Sequence, residues 1–223
     1  MPATARVQQV SFRAAPALLA HLLPRRGVIV IGGASGSGKS TLARALLDLL
    51  PPHAVHLQVE ASYLGWRGLE PGLRLVEAAL RRSTSHGHAD LPTWDWLASR
   101  PGGSVPLLAP ARLRAPLLIE GVGADVALAR LADLVVRVEA PASLRERRVA
   151  ERDGYWNQLW PRWAADEEAH AYRAGLARAL GGGRATPASA ATAPPGGAIH
   201  NGCRDDVDHR PAPKSRRYLR VVP

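Results

Sequence analysis

The stretch Val28–Thr41 constrains the fold of this chain more than any other segment. Its first four residues, Val28–Ile31, are all β-branched and apolar, which is typical of a short buried strand. Several closely spaced glycines follow and predict a tight loop, and Thr41–Leu50 then carries leucines at helical spacing. A strand, a glycine-rich loop and a helix in this order predict an α/β fold.

The loop Gly33–Ser40 matches the pattern GxxxxGK[ST], the Walker A phosphate-binding motif. Its glycines let backbone N–H groups surround phosphate oxygens, Lys39 reaches the outer phosphates, and Ser40 offers its hydroxyl to Mg²⁺. The following helix adds the positive end of its dipole. ATP and Mg²⁺ are therefore the predicted cofactors. The predicted ATP-binding residues are Gly33, Ala34, Ser35, Gly36, Ser37, Gly38, Lys39, Ser40 and Thr41.

The use of lysine supports this interpretation. Lys39 and Lys214 are the only lysines among 29 basic residues, so the chain uses arginine almost everywhere else. A lysine at the motif position indicates that a slim ammonium group is required there, since a guanidinium is wide and planar.

Composition and charge narrow the classes of function. With 223 residues and 46% hydrophobic residues, the chain can bury a sizeable core. The single cysteine, Cys203, excludes a disulfide framework, and no long apolar run predicts a membrane span, so we expect a cytoplasmic protein. The net charge is +10, but the arginines are spread along the chain, and we do not expect nucleic acid as a partner. Residues 1–26 are basic like a transit peptide, although Ala14–Leu23 favours an amphipathic helix.

Two further segments near the loop carry candidate acceptor-site residues. Ala54–Glu60 predicts a second strand with Glu60 at its carboxyl end, where ligands of open α/β sheets bind. Glu60 is then either a general base or Mg²⁺-water ligand, or a solvated glutamate at the end of a strand. The glycine-rich segment after it holds Tyr63 and Trp66, which suit a planar or sugar-like substrate.

Paired tryptophans flank an acid at Asp95. This segment is either a loop packed on the core or an acceptor site in which Asp95 accepts hydrogen bonds from hydroxyl groups. Further along, Ala115–Glu120 predicts a strand that ends in a carboxylate followed by glycine. That is the Walker B position, so Ser40 and Glu120 are the predicted metal-organising residues.

An arginine-rich segment, Ala142–Tyr172, predicts a helical lid. Arg145, Arg148 and Arg152 lie on one face of a helix, and Arg148 and Arg152 are predicted to stabilise a transferring phosphoryl group. The alternative is a surface helix whose arginines pair with its own glutamates.

These segments predict a three-layer α/β domain with a mostly parallel sheet of four or five strands. The predicted organisation is a helical lead-in at 1–26, a catalytic domain at 27–180, and a disordered, basic tail rich in glycine, proline and alanine at 181–223. Within the tail, Tyr218–Val222 is an alternative strand.

Over about residues 25–172, the order of these motifs resembles the uridine kinase-like branch of P-loop nucleoside and nucleotide kinases, and most of all the small actinobacterial-type ATP-binding proteins of that branch. The resemblance implies phosphorylation of a small-molecule hydroxyl by Mg²⁺-ATP, with a nucleoside such as uridine the favoured acceptor. It also implies that Glu60 takes the acceptor proton and that Tyr63 and Asp95 line the acceptor pocket. Ala61 and Ser62 depart from the family, whose members often carry an acid or an aromatic residue there. A regulatory ATP-binding protein without kinase activity is the alternative, and a nucleic acid-associated ATPase is a third hypothesis.

Overall fold

The computed structural model describes residues 7–152, 159–179 and 217–223. The strands are β1 (Val7–Ser11), β2 (Val28–Gly32), β3 (Val55–Gln58), β4 (His88–Asp95), β5 (Arg100–Leu108), β6 (Leu117–Gly121), β7 (Leu134–Val138) and β8 (Arg217–Val222). The helices are α1 (Ala15–Leu22), α2 (Lys39–Leu47), α3 (Leu69–His86), α4 (Ala124–Ala127), α5 (Ala142–Arg152) and α6 (Trp160–Ala179). None of the helices in these ranges is long and apolar enough to cross a membrane.

Six strands form one parallel sheet in the order β1-β8-β7-β2-β6-β3, and β4 pairs with β5 in a separate antiparallel hairpin. All five residues of β2 are buried, since successive side chains of a strand point to opposite faces and both faces are covered. On one face Val28 and Val30 pack with Val76 of α3. On the other, Ile29 and Ile31 pack with Leu42 of α2. This arrangement confirms the three-layer α/β fold.

The sheet has more strands than predicted, because both ends of the described chain contribute one. The predicted lead-in contains the helix α1 but also the strand β1, which pairs in parallel with β8. Strand β8 pairs in turn with β7, so the alternative of a strand at Tyr218–Val222 is the one observed and this end of the chain is not a disordered tail. The remainder of the predicted tail, residues 181–216, lies outside the described residues.

Local structure between β3 and β6 differs from the prediction in three places. Strand β3 ends at Gln58, and Glu60 lies in a short 3₁₀ turn, Val59–Ser62. Helix α3 extends beyond Leu73–Arg82, the span that the sequence predicts. A proline is tolerated in its first turn because the N–H that proline lacks has no partner within the helix there, and Gly87 ends the helix in the left-handed conformation. Strand β4 includes Trp94 and Asp95, and Trp96 begins the turn that follows; buried and exposed residues alternate over the first half of the strand. Prolines in both strands made this hairpin look like a loop, although an isolated two-stranded ribbon tolerates them.

Candidate functional site

The glycine loop joins the central strand β2 to the N-terminus of α2. Gly36 has a φ of 75°, and a Cβ atom there would collide with the carbonyl oxygen of Arg145. Gly33 has a φ of 146°, and a Cβ atom would collide with the carbonyl oxygen of Val138. Both positions therefore require glycine for conformation and for space. Helix α2 begins at Lys39, so the loop backbone leads directly into free helix N–H groups.

Lys39 is partly buried at the start of α2 and is surrounded by ionisable groups. Burial lowers the pKa of its ammonium group, while the nearby carboxylates of Glu120, Glu167 and Glu60 act in the opposite direction. The positive charge of Arg152 adds to the lowering. The fold thus brings the predicted Lys39, Glu60, Glu120 and Arg152 into one electrostatic neighbourhood, and Glu167 joins them although no sequence motif marked it.

Glu120 lies on β6 beside the loop, because β2 and β6 pair with Ile31 opposite Glu120. The hydroxyl of Ser40 donates to its Oε2 atom at 3.0 Å, and the Gln58 side-chain amide donates to its Oε1 atom at 3.1 Å. The carboxylate is buried, at 3% exposure. A hydroxyl and a carboxylate are oxygen ligands of the kind that Mg²⁺ prefers. No cluster of three or more His, Cys, Asp or Glu that could hold a metal by itself occurs within the described ranges. The site therefore fits an ion that also takes ligands from phosphate and water.

Glu60 and Tyr63 lie on the turn that follows β3. The side chain of Glu60 is exposed, and its backbone oxygen accepts a hydrogen bond from the indole of Trp96 at 3.2 Å. Tyr63 is buried at 1% exposure, and its hydroxyl donates to the carbonyl oxygen of Val122 at 2.8 Å. Burial raises the pKa of Tyr63 well above its usual value. Contact of either side chain with an acceptor stays a prediction.

Trp66 forms the centre of an aromatic cluster. Its ring lies 5.0 Å from that of Trp96 and 6.0 Å from that of Trp163, both edge-on. Asp95 shapes the turn between β4 and β5, since its Oδ1 atom accepts from the backbone N–H groups of Leu97 and Ala98 at 3.1 and 3.0 Å. No sequence feature singles out Trp163 as a residue near the site, because a tryptophan on a helix usually indicates core packing.

Helices α5 and α6 contact the loop directly. Arg145 donates to the carbonyl oxygen of Ser35 at 3.3 Å, and Arg148 donates to that of Gly36 at 3.1 Å. From α6, Glu167 accepts the Ser35 backbone N–H at 2.9 Å. The alternative was a surface helix whose arginines pair with its own glutamates. The pair of Arg147 with Glu151 is of this kind, but it is exposed and 3.9 Å long, so it contributes little to stability. Two arginines of α5, Arg145 and Arg148, therefore contact the loop.

A cavity of about 420 Å³ is lined by residues of α3 and α6. Four arginines line it together with two acids: Arg67, Arg74, Arg162, Arg173, Glu70 and Asp166. Glu70 accepts from Arg74 at 3.1 Å and from Arg173 at 2.8 Å, so part of this charge is already compensated. None of the residues that line it belongs to the glycine loop.

Three features define the P-loop class of phosphate-binding fold: a parallel α/β sheet, a glycine loop after its central strand, and an acid on the neighbouring strand.

No family model and no curated protein matches this chain. Among solved structures, the chain is similar to that of a possible uridine kinase from Bacillus stearothermophilus. The two are 18% identical, with a TM-score of 0.45, and the match covers 70% of this chain and 93% of that one. The chain is also similar to a protein described as a putative fructose transport system kinase from a Silicibacter species, with 23% identity, a TM-score of 0.41, and coverage of 77% of this chain and 93% of that one.

Proposed function

We propose that this protein is a Mg²⁺-ATP-dependent phosphotransferase that acts on a hydroxyl group of a small molecule, with a nucleoside such as uridine the favoured acceptor. The observation that carries the proposal is the hydrogen bond of Ser40 to the buried Glu120, beside the ammonium group of Lys39 and at the end of the glycine loop. This is the set of groups that phosphoryl transfer from a metal-bound nucleotide requires.

The loop and its flanking charges position the phosphates. Backbone N–H groups of the loop and of the first turn of α2 donate to phosphate oxygens, and Lys39 binds the outer phosphates. Ser40 and Glu120 would hold Mg²⁺, directly or through water, and the ion would supply positive charge to the phosphate groups when bound. Arg148 and Arg152 on α5 lie close enough to the loop to compensate the charge of the transferring group.

The acceptor would bind beside the turn that follows β3. Glu60 is exposed there and lies near enough to Lys39 to influence its pKa, which suits a carboxylate that accepts the proton of the attacking hydroxyl. Trp66 and Asp95 are the proposed acceptor contacts, and the partly exposed Trp66 offers a ring on which a planar base can stack. Tyr63 was expected to line the same pocket, but it is buried and supports the turn through its hydrogen bond to Val122.

A coupled assay of ADP release tests the proposal. We expect release that depends on both Mg²⁺ and an acceptor from a panel of nucleosides, sugars and vitamins, and its loss in Lys39→Ala. Measurement of Mg²⁺-ATP binding in the same samples separates binding from transfer. If the wild-type protein has no measurable affinity for Mg²⁺-ATP, the proposed function is wrong.

The second candidate is a regulatory ATP-binding protein that transfers no phosphoryl group. The contacts of Arg145 and Arg148 with loop carbonyl oxygens favour it, because these guanidinium groups are engaged by the protein itself. It predicts tight Mg²⁺-ATP binding without acceptor-dependent ADP release for any member of the panel.

A further inference from the structure

Ser35, the third residue of the glycine loop, has all of its polar groups engaged by helices α5 and α6. Its backbone N–H donates to Glu167 Oε1 at 2.9 Å, and its hydroxyl oxygen accepts from Trp163 Nε1 at 2.9 Å. Its carbonyl oxygen accepts from Arg145 Nη1 at 3.3 Å. Three side chains from outside the loop therefore hold one loop residue.

The carboxylate of Glu167 is the anionic member of this group. It is buried at 7% exposure, and its Oε1 atom lies 2.6 Å from Trp163 Nε1, whose single N–H it shares with the Ser35 hydroxyl oxygen. Its other oxygen, Oε2, lies 3.5 Å from Arg145 Nη1 and accepts no hydrogen bond in the structure. A buried carboxylate is stable only where donors and positive charges compensate it, and here part of that compensation comes from the loop.

An anionic side chain at this place opposes the ligand that the loop is built to bind. The Ser35 N–H that donates to Glu167 belongs to the loop whose backbone amides are proposed to bind phosphate oxygens, and Glu167 also lies close enough to Lys39 to influence its pKa. A phosphate entering the loop meets a like charge in a partly buried setting, where electrostatic repulsion is poorly screened. The same entry would release Arg145 from its contacts with Glu167 and the Ser35 carbonyl oxygen.

We propose that Glu167 is a carboxylate latch: it holds α6 against the glycine loop and is displaced when phosphate binds. The inference rests on the proposed function, since it requires that the loop binds a polyphosphate. The latch makes the affinity of the loop for phosphate lower than the loop alone would give, and it couples phosphate binding to the position of α6.

The test uses Glu167→Gln, which removes the charge but keeps an oxygen that can accept from Ser35 and Trp163. The matched control is Glu168→Gln, which removes the same charge from the next residue, an exposed one. The probes are pyrophosphate and a non-hydrolysable ATP analogue, each with Mg²⁺, titrated by calorimetry into the full-length protein. We expect Glu167→Gln to bind both about tenfold more tightly than wild type, and Glu168→Gln to bind within about twofold of wild type.

The direction of the change is decisive. If Glu167 only supports the shape of the loop, Glu167→Gln will bind the probes equally or more weakly, and the latch is wrong. If wild type binds neither probe, the proposed function itself fails and the latch fails with it. If Glu167→Gln does not fold, amide hydrogen exchange of the wild-type protein tests the proposal. We expect the non-hydrolysable ATP analogue with Mg²⁺ to speed exchange in Trp160–His170. Unchanged or slower exchange there contradicts displacement of α6.

Discussion

The hydroxyl of Ser40 donates to Oε2 of Glu120 across 3.0 Å and joins two motifs that lie 80 residues apart in the sequence. The parallel pairing of β2 with β6 brings them together, because it aligns Gly32 with Gly121 and so places the ends of both strands at one level. Gln58, at the end of β3, donates to the other oxygen of the same carboxylate. Helix α2 and the adjacent strands β6 and β3 thus contribute to one polar centre.

Replacement of Glu120 by glutamine tests this centre as a metal site. The charge is lost while the hydrogen bonds of Ser40 and Gln58 retain a partner, so we expect the Mg²⁺ concentration for half-maximal ADP release to rise about 10- to 100-fold. A titration of activity with Mg²⁺ at fixed ATP measures it. Glu139→Gln is the control, since this partly exposed carboxylate pairs with Arg137 and Arg220 on the strands. An unchanged Mg²⁺ requirement in Glu120→Gln would remove Glu120 from the proposed site.

Lys39→Ala is expected to reduce affinity for Mg²⁺-ATP by roughly tenfold or more, because a charge-assisted contact to the outer phosphates is lost. Calorimetric titration of ATP measures the loss. Affinity and turnover equal to those of wild type would contradict the assignment of the loop.

Lys39 also predicts a pH dependence of stability. Burial lowers the pKa of Lys39 in the folded state, so between its folded pKa and the ordinary value of 10.5 the unfolded chain binds more protons than the folded one. At neutral pH the buried charge of Lys39 therefore destabilises the folded state of wild type. This destabilisation decreases as the pH rises towards 10.5. We expect the free energy of unfolding of wild type to increase relative to that of Lys39→Met over this range. Urea unfolding of both proteins at several pH values measures the difference; a constant difference would contradict it.

Gly36→Ala tests the backbone of the loop. The residue has a φ of 75°, and the added Cβ would meet the carbonyl oxygen of Arg145. We expect a loss of about 1–3 kcal/mol in the free energy of unfolding together with weaker ATP binding. Gly103→Ala is a matched control, because nothing lies within 4 Å of a Cβ atom at this exposed position. Equal unfolding free energies for the two variants would show that the loop relaxes without cost.

Tyr63→Phe separates packing from substrate contact. Loss of the hydroxyl leaves the buried carbonyl oxygen of Val122 without its donor, and we expect a destabilisation of about 1–2 kcal/mol with an unchanged KM for the acceptor. Chemical unfolding and steady-state kinetics measure the two effects. A raised KM with unchanged stability would instead place the hydroxyl in the acceptor pocket.

The segments that could be predicted from the sequence are those whose conformation depends on nearby residues alone. The loop, its buried strand and its helix are specified within fourteen residues, Val28–Thr41, because glycine conformation and apolar runs act locally. The strand before Glu120 was recognisable for the same reason. The hairpin of β4 and β5 was missed, since its prolines mimic loop signals and only pairing between the strands makes them compatible with an extended structure.

The sequence by itself determined that the chain carries a phosphate-binding loop and an α/β sheet, since both depend on short runs of residues with strict conformational preferences. Only the tertiary structure decided that β8 joins the sheet between β7 and β1, and that Glu167 of α6 reaches Ser35 from a distance of 132 residues along the chain. Such contacts depend on how helices and strands pack against one another. No local pattern in the sequence encodes that packing, because the interacting residues become neighbours only after the chain has folded.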